Sequence, residues 1–234
     1  MLNIEQFRYG ADNLAYLIHG SKQAVAIDGG ASKEILSFLR EKNLSLEMVT
    51  NTHAHYDHTS GNDQLLKATG ATFFNASVCP DGHKMMIEGE TILIYRTPGH
   101  TNDSVCFHAG NFLISGDTLF NATIGNCFSG NQNNFFLSIK RLMTLSDDTR
   151  VYAGHDYVDA SLTFARILEP HNKDIESFQD FYNASTTVYS TMAEERKINP
   201  YLRFNEDSII AMLRKRNLPY ATEWERWNSL MSIE

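Results

Sequence analysis

The stretch Thr52-His-Ala-His-Tyr-Asp-His58 places four metal-ligating side chains, His53, His55, Asp57 and His58, within six consecutive residues. Imidazoles beside a carboxylate suit Zn, Fe or Mn. The whole chain of 234 residues has nine histidines, so a chance His-x-His-x-Asp-His is rare, and a loop of merely solvated histidines is set aside. The cluster follows Met48–Thr52, an apolar and β-branched run that reads as a strand. A strand end and its loop are where a rigid scaffold presents chemistry.

Three further residues share that setting. His100 lies in Thr97-Pro-Gly-His-Thr101 after a strand expected at Thr91–Arg96. Asp117 lies in Ser115-Gly-Asp-Thr118 after Phe112–Ser115, and His155 in Ala153-Gly-His-Asp156 after Arg150–Ala153. Each time a glycine frees the backbone just before a ligand-type side chain. Together these residues imply one convergent site. His19, His83, His108 and His171 share no motif and read as surface or satisfied core histidines.

The elements that must position these residues alternate in the first half. Leu14–Ile18 and Ala24–Ile27 read as strands, with Asp28-Gly29-Gly30 turning the chain. Ser32 is expected to cap a helix whose Ile35, Leu36, Phe38 and Leu39 share one face. A second helix is expected from about Gly61 to a stop at Gly70, then a strand at Ala71–Asn75. Val105–Ala109 and Phe112–Ser115 form a hairpin around Gly110-Asn111, and Phe135, Phe136, Ile139 and Leu142 mark a helix. After His155 the texture changes: all 14 glycines fall at or before Gly154, and helical spacing takes over. This predicts a catalytic domain over residues 1–156 and an all-helical domain over 157–234, with Trp224 and Trp227 as packing residues.

Composition narrows the function. Apolar residues make up 42% and charged residues 21%, which fits a soluble globular protein. The formal net charge of −8, with no basic run, argues against a nucleic-acid partner. No apolar run approaches the roughly 18 residues of a membrane span, and no signal peptide is visible, so a cytoplasmic location is expected. Cys79, Cys106 and Cys127 form no CxxC pair and read as reduced thiols.

The order and spacing of the ligand residues resemble the metallo-β-lactamase superfamily, and the chain is similar to glyoxalase II, the hydroxyacylglutathione hydrolases. The narrower likeness rests on Leu162-Thr-Phe-Ala-Arg-Ile-Leu-Glu-Pro170, Ser190-Thr-Met-Ala-Glu-Glu195 and Asn199-Pro200. The resemblance implies an αββα sandwich of two mixed sheets with a helical C-terminal domain that binds substrate. It implies two divalent metal ions (Zn, Fe or Mn), one held by His53, His55 and His100, the other by Asp57, His58 and His155, with Asp117 bridging. Asp57 and Asp117 would then act beside a bridging hydroxide that attacks a thioester carbonyl. In the family's case S-D-lactoylglutathione yields D-lactate and glutathione. Two alternatives stay open: a mononuclear iron persulfide dioxygenase, and a non-catalytic metal- or thiol-binding module.

The resemblance breaks in the substrate loop. The family binds the glycine carboxylate of glutathione with a Lys at the position of Asn126 and a Tyr at that of Phe128. Of its basic residues near the C-terminus only Arg226 remains. Tyr157 matches a tyrosine that contacts the thiol. Either glutathione is kept, with Arg226 or Arg214-Lys215-Arg216 serving its carboxylates, or the thiol carrier differs.

Overall fold

The computed structural model describes residues 1–233. One sheet consists, in spatial order, of β1 (Asn3–Tyr9), β2 (Asn13–His19), β3 (Gln23–Ile27), β4 (Ser45–Thr50) and β5 (Thr72–Phe73). It is antiparallel as far as β3 and parallel from β3 to β5. The next four strands are β6 (His83–Ile87), β7 (Glu90–Arg96), β8 (Val105–Ala109) and β9 (Phe112–Gly116). A small hairpin follows, β10 (Leu119–Phe120) with β11 (Thr123–Ile124). Then β12 (Arg150–Ala153) and β13 (Ser190–Thr191) complete a second sheet ordered β13-β12-β9-β8-β7-β6, in which only β12 and β9 run parallel.

Strand alternation decides how the layers stack. Leu14, Tyr16 and Ile18 of β2 point into a core shared with Ile92, Ile94, Phe107 and Ile114 of the second sheet. Their neighbours Ala15 and Leu17 face the other way, onto Ile35 and Leu39 of α1 (Ser32–Lys42) and Leu65 in the helix after α2 (Tyr56–Thr59), namely α3 (Asn62–Thr69). Leu113 and Val151 leave the second sheet on its outer face and meet Phe135, Phe136 and Ile139 of α4 (Gln132–Leu142). The result is the expected helix–sheet–sheet–helix sandwich. Each fully buried aliphatic or aromatic side chain in these layers contributes about 1.5–3 kcal/mol relative to exposure.

The C-terminal helices are α5 (Val158–Leu168), α6 (Lys173–Ala184), α7 (Met192–Ile198), α8 (Asp207–Lys215) and α9 (Glu223–Met231). Val158, Leu162, Ile175 and Phe178 of α5 and α6 join the core between the sheets. Met192, Leu213 and Leu230 pack on the α4 side, as does Trp227, fully buried against Phe135 and Phe136. No helix among the described residues is long and apolar enough to cross a membrane.

The fold departs from expectation in several places. The region after His155 is not all-helical: β13 extends the second sheet, Val151 opposite Ser190. A two-residue strand running straight into the Thr191–Glu194 capping box has no periodicity to read. Ser32 is not the cap of α1. It is the first helical residue, buried, and its hydroxyl donates across to Gln64 Oε1 at 2.7 Å, while Ala31 takes the cap position. The strand expected at Ala71–Asn75 shortens to Thr72–Phe73. The edge strands β1 and β6 were not anticipated: β1 is half-buried along most of its length, and in β6 the exposed Met86 between buried Met85 and Ile87 masks the alternation.

Candidate metal centre

All four ligand-bearing segments leave strands at one end of the sandwich. β4 ends at Thr50 and leads into His53 and His55, and the single turn of α2 carries Asp57 and His58. His100 follows β7, Asp117 follows β9 and His155 follows β12. Backbone bonds stitch the two sheets together here: Leu14 N–H donates to Gly154 O at 2.8 Å, and Val105 N–H to Thr52 O at 2.8 Å. The chain therefore folds the distant ligand segments onto one another before any ion is considered.

The seven side chains converge. Ligand atoms of His53, His55 and His100 lie within 4.8 Å of one another, as do those of His53, His58 and Asp117, and those of Asp57, His58 and His155. His55 Nδ1 is 2.9 Å from His53 Nε2 and 3.1 Å from His100 Nε2. His58 Nε2 and His155 Nε2 are 3.3 Å apart, and Asp57 Oδ2 is 3.3 Å from His155 Nε2. Asp117 reaches both groups: Oδ1 lies 3.3 Å from His58 Nε2, and Oδ2 3.5 Å from both His100 Nε2 and His155 Nε2. Bonds of about 2.0–2.1 Å in a tetrahedron put ligand atoms roughly 3.3 Å apart. The donor set and its spacing therefore fit divalent cations. Asp117 Oδ1, buried and without a hydrogen-bond partner among the described residues, fits a cation ligand as well.

The opposite nitrogens of the rings are held from behind. His58 Nδ1 donates to Asp28 Oδ2 at 3.0 Å, His155 Nδ1 to Asp12 Oδ1 at 2.8 Å, and His100 Nδ1 to the Asn126 carbonyl oxygen at 2.9 Å. Each partner only accepts, which puts the ring proton on Nδ1 and turns the Nε2 lone pair inward. Asp28 also accepts from Thr52 N–H and Oγ1, and Thr52 Oγ1 lies 3.1 Å from His53 Nδ1. Asn13 donates to Asp57 Oδ2 at 3.0 Å, and the Tyr9 hydroxyl to the Asp57 carbonyl at 2.9 Å. Sequence reasoning missed Asp28, Asp12, Asn13 and Tyr9. Asp28 carried a signal, since it too ends a strand beside glycines.

Burial and neighbouring charges set the protonation of the cluster in opposite directions. Burial works against charge on His58, yet Asp28 and Asp117 outweigh it and push the imidazole up to about 11. Burial and the neighbouring His58 hold His53 down to about 4. Burial also opposes ionisation of Asp117, but His155 and His58 hold its carboxyl well below the usual range. A proton on His58 thus compensates buried negative charge that a divalent cation would neutralise, and metal binding would displace that proton.

Close approach requires glycine at two points. A Cβ at Gly154 would collide with Asp117 Oδ1 and come within 2.8 Å of His58 Cε1. Gly116, with φ of +51°, sits in the left-handed region just before Asp117 and abuts Thr52.

Beside the ligands lies a cavity of about 190 Å³. Phe120, Thr123, Ile124 and Asn126 form one wall, and Tyr157 with Ala160, Ser161 and Phe164 of α5 the other. Tyr157, 38% exposed, stacks on the His155 ring at 4.9 Å and meets Phe120 edge-on. Phe128 is largely exposed, and its ring lies against His55 and His100. Arg226 is not brought to this cavity. Its guanidinium donates to Asn205 Oδ1 and to the carbonyls of Tyr220 and Ala221. Arg214 lies over the Tyr220 ring, and neither it nor Lys215 or Arg216 lines the cavity. Of the four histidines set aside, His108 meets the Tyr95 hydroxyl, His83 stacks on Phe74, His19 faces the Gly20 carbonyl, and His171 lines a separate cavity.

This sandwich with metal-ligating loops at one end is a metallo-β-lactamase fold. Residues 9–76 and 81–155 match the family model of the metallo-beta-lactamase superfamily, and residues 156–231 that of the hydroxyacylglutathione hydrolase C-terminus. The hydroxyacylglutathione hydrolase of Methylobacillus flagellatus is 34% identical, with 86% of each chain covered. That of Photobacterium profundum is 31% identical, with 89% of each covered. Among solved structures, ETHE1 from Myxococcus xanthus superposes with a TM-score of 0.68 at 26% identity, covering 97% of this chain and 99% of that one. TTHA1623 in a di-iron-bound form, 21% identical with a TM-score of 0.63, covers 85% of this chain and 100% of its own, and shares the fold. The chain belongs to the hydroxyacylglutathione hydrolase (glyoxalase II) family of that superfamily. It is a hydrolytic enzyme that binds metal.

Proposed function

We propose that the chain hydrolyses hydroxyacyl thioesters, S-D-lactoylglutathione to D-lactate and glutathione in the reading carried over from its relatives. The observation that carries this is the convergence of seven donor side chains into two groups that share Asp117. His53, His55 and His100 would hold one divalent ion, Asp57, His58 and His155 a second, and Asp117 would bridge. Zn, Fe and Mn all suit these donors. Two such ions, when bound, supply a shared water whose pKa falls from 15.7 towards about 7, and they polarise the thioester carbonyl.

The chain's own residues do the rest. Asp28, Asp12 and the Asn126 carbonyl fix the rings of His58, His155 and His100, so the ligand geometry exists before substrate arrives. Asp57 is the half-exposed carboxylate of the set. His58 and Asn13 hold its carboxyl below the ordinary value against the opposing effect of burial. It is placed to carry the proton lost from water toward solvent and the departing thiolate. Water adds to the acyl carbon, the C–S bond breaks, and the proton ends on sulfur.

Residues 157–234 serve as the substrate-facing part, with α5 walling the cavity next to Tyr157. The free thiols at Cys79, Cys106 and Cys127 suit a reducing compartment, and the reading puts the enzyme in the cytoplasm.

The test is hydrolysis of S-D-lactoylglutathione by protein stripped with a chelator and then reloaded with Zn, Fe or Mn. Thiol release should vanish and return. Oxygen consumption by an iron-loaded protein that releases no thiol would favour the persulfide dioxygenase reading. Metal uptake without turnover of any thioester would favour a binding module.

A further inference from the structure

The cavity that adjoins the ligands bears on which thiols the site accepts. It opens beside Tyr157, stacked on His155, and its other wall includes Asn126, whose carbonyl orients His100. A thioester whose carbonyl lies at the ligand cluster can run its thiol arm or its acyl group along these walls. Every lining residue is neutral: aromatic rings, Ile124, Ala160, two hydroxyls and one amide. The cations that could have reached inward are engaged elsewhere, Arg226 on Asn205 and two carbonyls, Arg214 on the Tyr220 ring. At the mouth, Phe128 presents an exposed ring beside His55 and His100.

A carboxylate run along these walls would lose its hydration with no cation to replace it. The formal charge of −8 adds no long-range field that gathers anions.

We infer that this site selects thioesters whose thiol arm is uncharged, and that the carboxylates of glutathione contribute little to binding. The inference rests on the thioester hydrolase reading. It assigns the neutral walls of this cavity a role in specificity.

The test compares kcat/KM for two esters of the same D-lactoyl group on metal-loaded protein, one of glutathione and one of N-acetylcysteamine, an uncharged amide-bearing thiol. The inference expects the uncharged ester to be hydrolysed at least as efficiently. A higher kcat/KM for the glutathione ester overturns the inference and leaves the hydrolase reading standing, whereas turnover of neither ester overturns both.

One variant sharpens the comparison. Ala160→Lys adds a cation at an exposed helical position on the cavity rim. The ratio of KM for the glutathione ester to KM for the uncharged ester should fall by roughly two- to fivefold, the size of an exposed ion pair. An unchanged ratio contradicts the claim that a missing cation limits glutathione binding.

Discussion

His58 Nδ1 and Asp28 Oδ2 lie 3.0 Å apart, and both side chains are fully buried. Asp28 touches no ligand atom that faces the site's interior, yet it fixes His58 directly and His53 through Thr52. Asp28→Asn should therefore lower metal affinity by about 10–100-fold, the usual effect of losing a partner behind a ligating histidine. Competition with a chromogenic chelator measures this. Unaltered affinity for both ions would mean that Asp28 only supports the loop.

Gly154 is tested by adding one methyl group. In Gly154→Ala the new carbon meets Asp117 Oδ1 and the His58 ring, two of the tightest points of the site. The ligands must move by a good fraction of an ångström, and misplacement on that scale costs about 100-fold in turnover. The far-ultraviolet circular dichroism should stay that of the parent, because Gly154 has an ordinary negative φ. A variant with parental kcat/KM would show that the site tolerates a looser arrangement.

Glu195, which is not among the candidate ligands, predicts a pH dependence of stability. It is fully buried, and it accepts from the Ala122 N–H at 2.9 Å and from Asn199 Nδ2 at 2.7 Å, clamping the β10–β11 hairpin to α7. Burial pushes its carboxyl up from 4.5 to about 7, although Ser190, Asn199 and Ala122 work the other way. A carboxyl raised in the folded state binds its proton more tightly there than in the unfolded chain. Its contribution to stability is therefore complete below about 4.5 and is lost as pH rises through 7. Glu195→Gln does not titrate. The deficit in unfolding free energy of the variant should be largest near pH 5 and shrink by about 2–3 kcal/mol towards pH 8. Parallel stability curves for the two proteins would refute the assignment.

Trp227 tests how the C-terminal helices relate to the sandwich. It is fully buried and meets Phe135 and Phe136 of α4 as well as Tyr201. Trp227→Ala should cost about 3–5 kcal/mol. Since α5–α9 share their cores with both sheets, the loss should lower a single melting transition. Two separated transitions in calorimetry would show the helices folding independently.

The candidate ligands were legible in the sequence because each segment follows a strand, three of the four with a glycine just before. That pattern survives without any knowledge of partners. Asp28 obeys the same pattern, but an Asp before two glycines also reads as a plain turn. Asp12 carries no pattern at all: it sits in the β1–β2 turn and meets His155 only through tertiary folding. Asn126 works through its backbone carbonyl, to which its side-chain identity gives no clue. Arg226 looked available because a lone cation in a sequence shows its charge and not the carbonyls that bind it. The layers were legible for the converse reason, since the nearly unbroken apolar runs of β2, β8 and β9 mark strands covered on both faces. The two-residue strand β13 was too short to leave such a record.

The account rests on two ions sharing Asp117, and a metal titration tests it most directly. Metal-free protein is titrated with Zn, and thioester hydrolysis and bound metal are followed together. The expected result is activity that rises and saturates at two equivalents per chain, with Asp117→Asn failing to reach that plateau. Full activity at one equivalent, or activity that persists without metal, would contradict the shared-carboxylate centre.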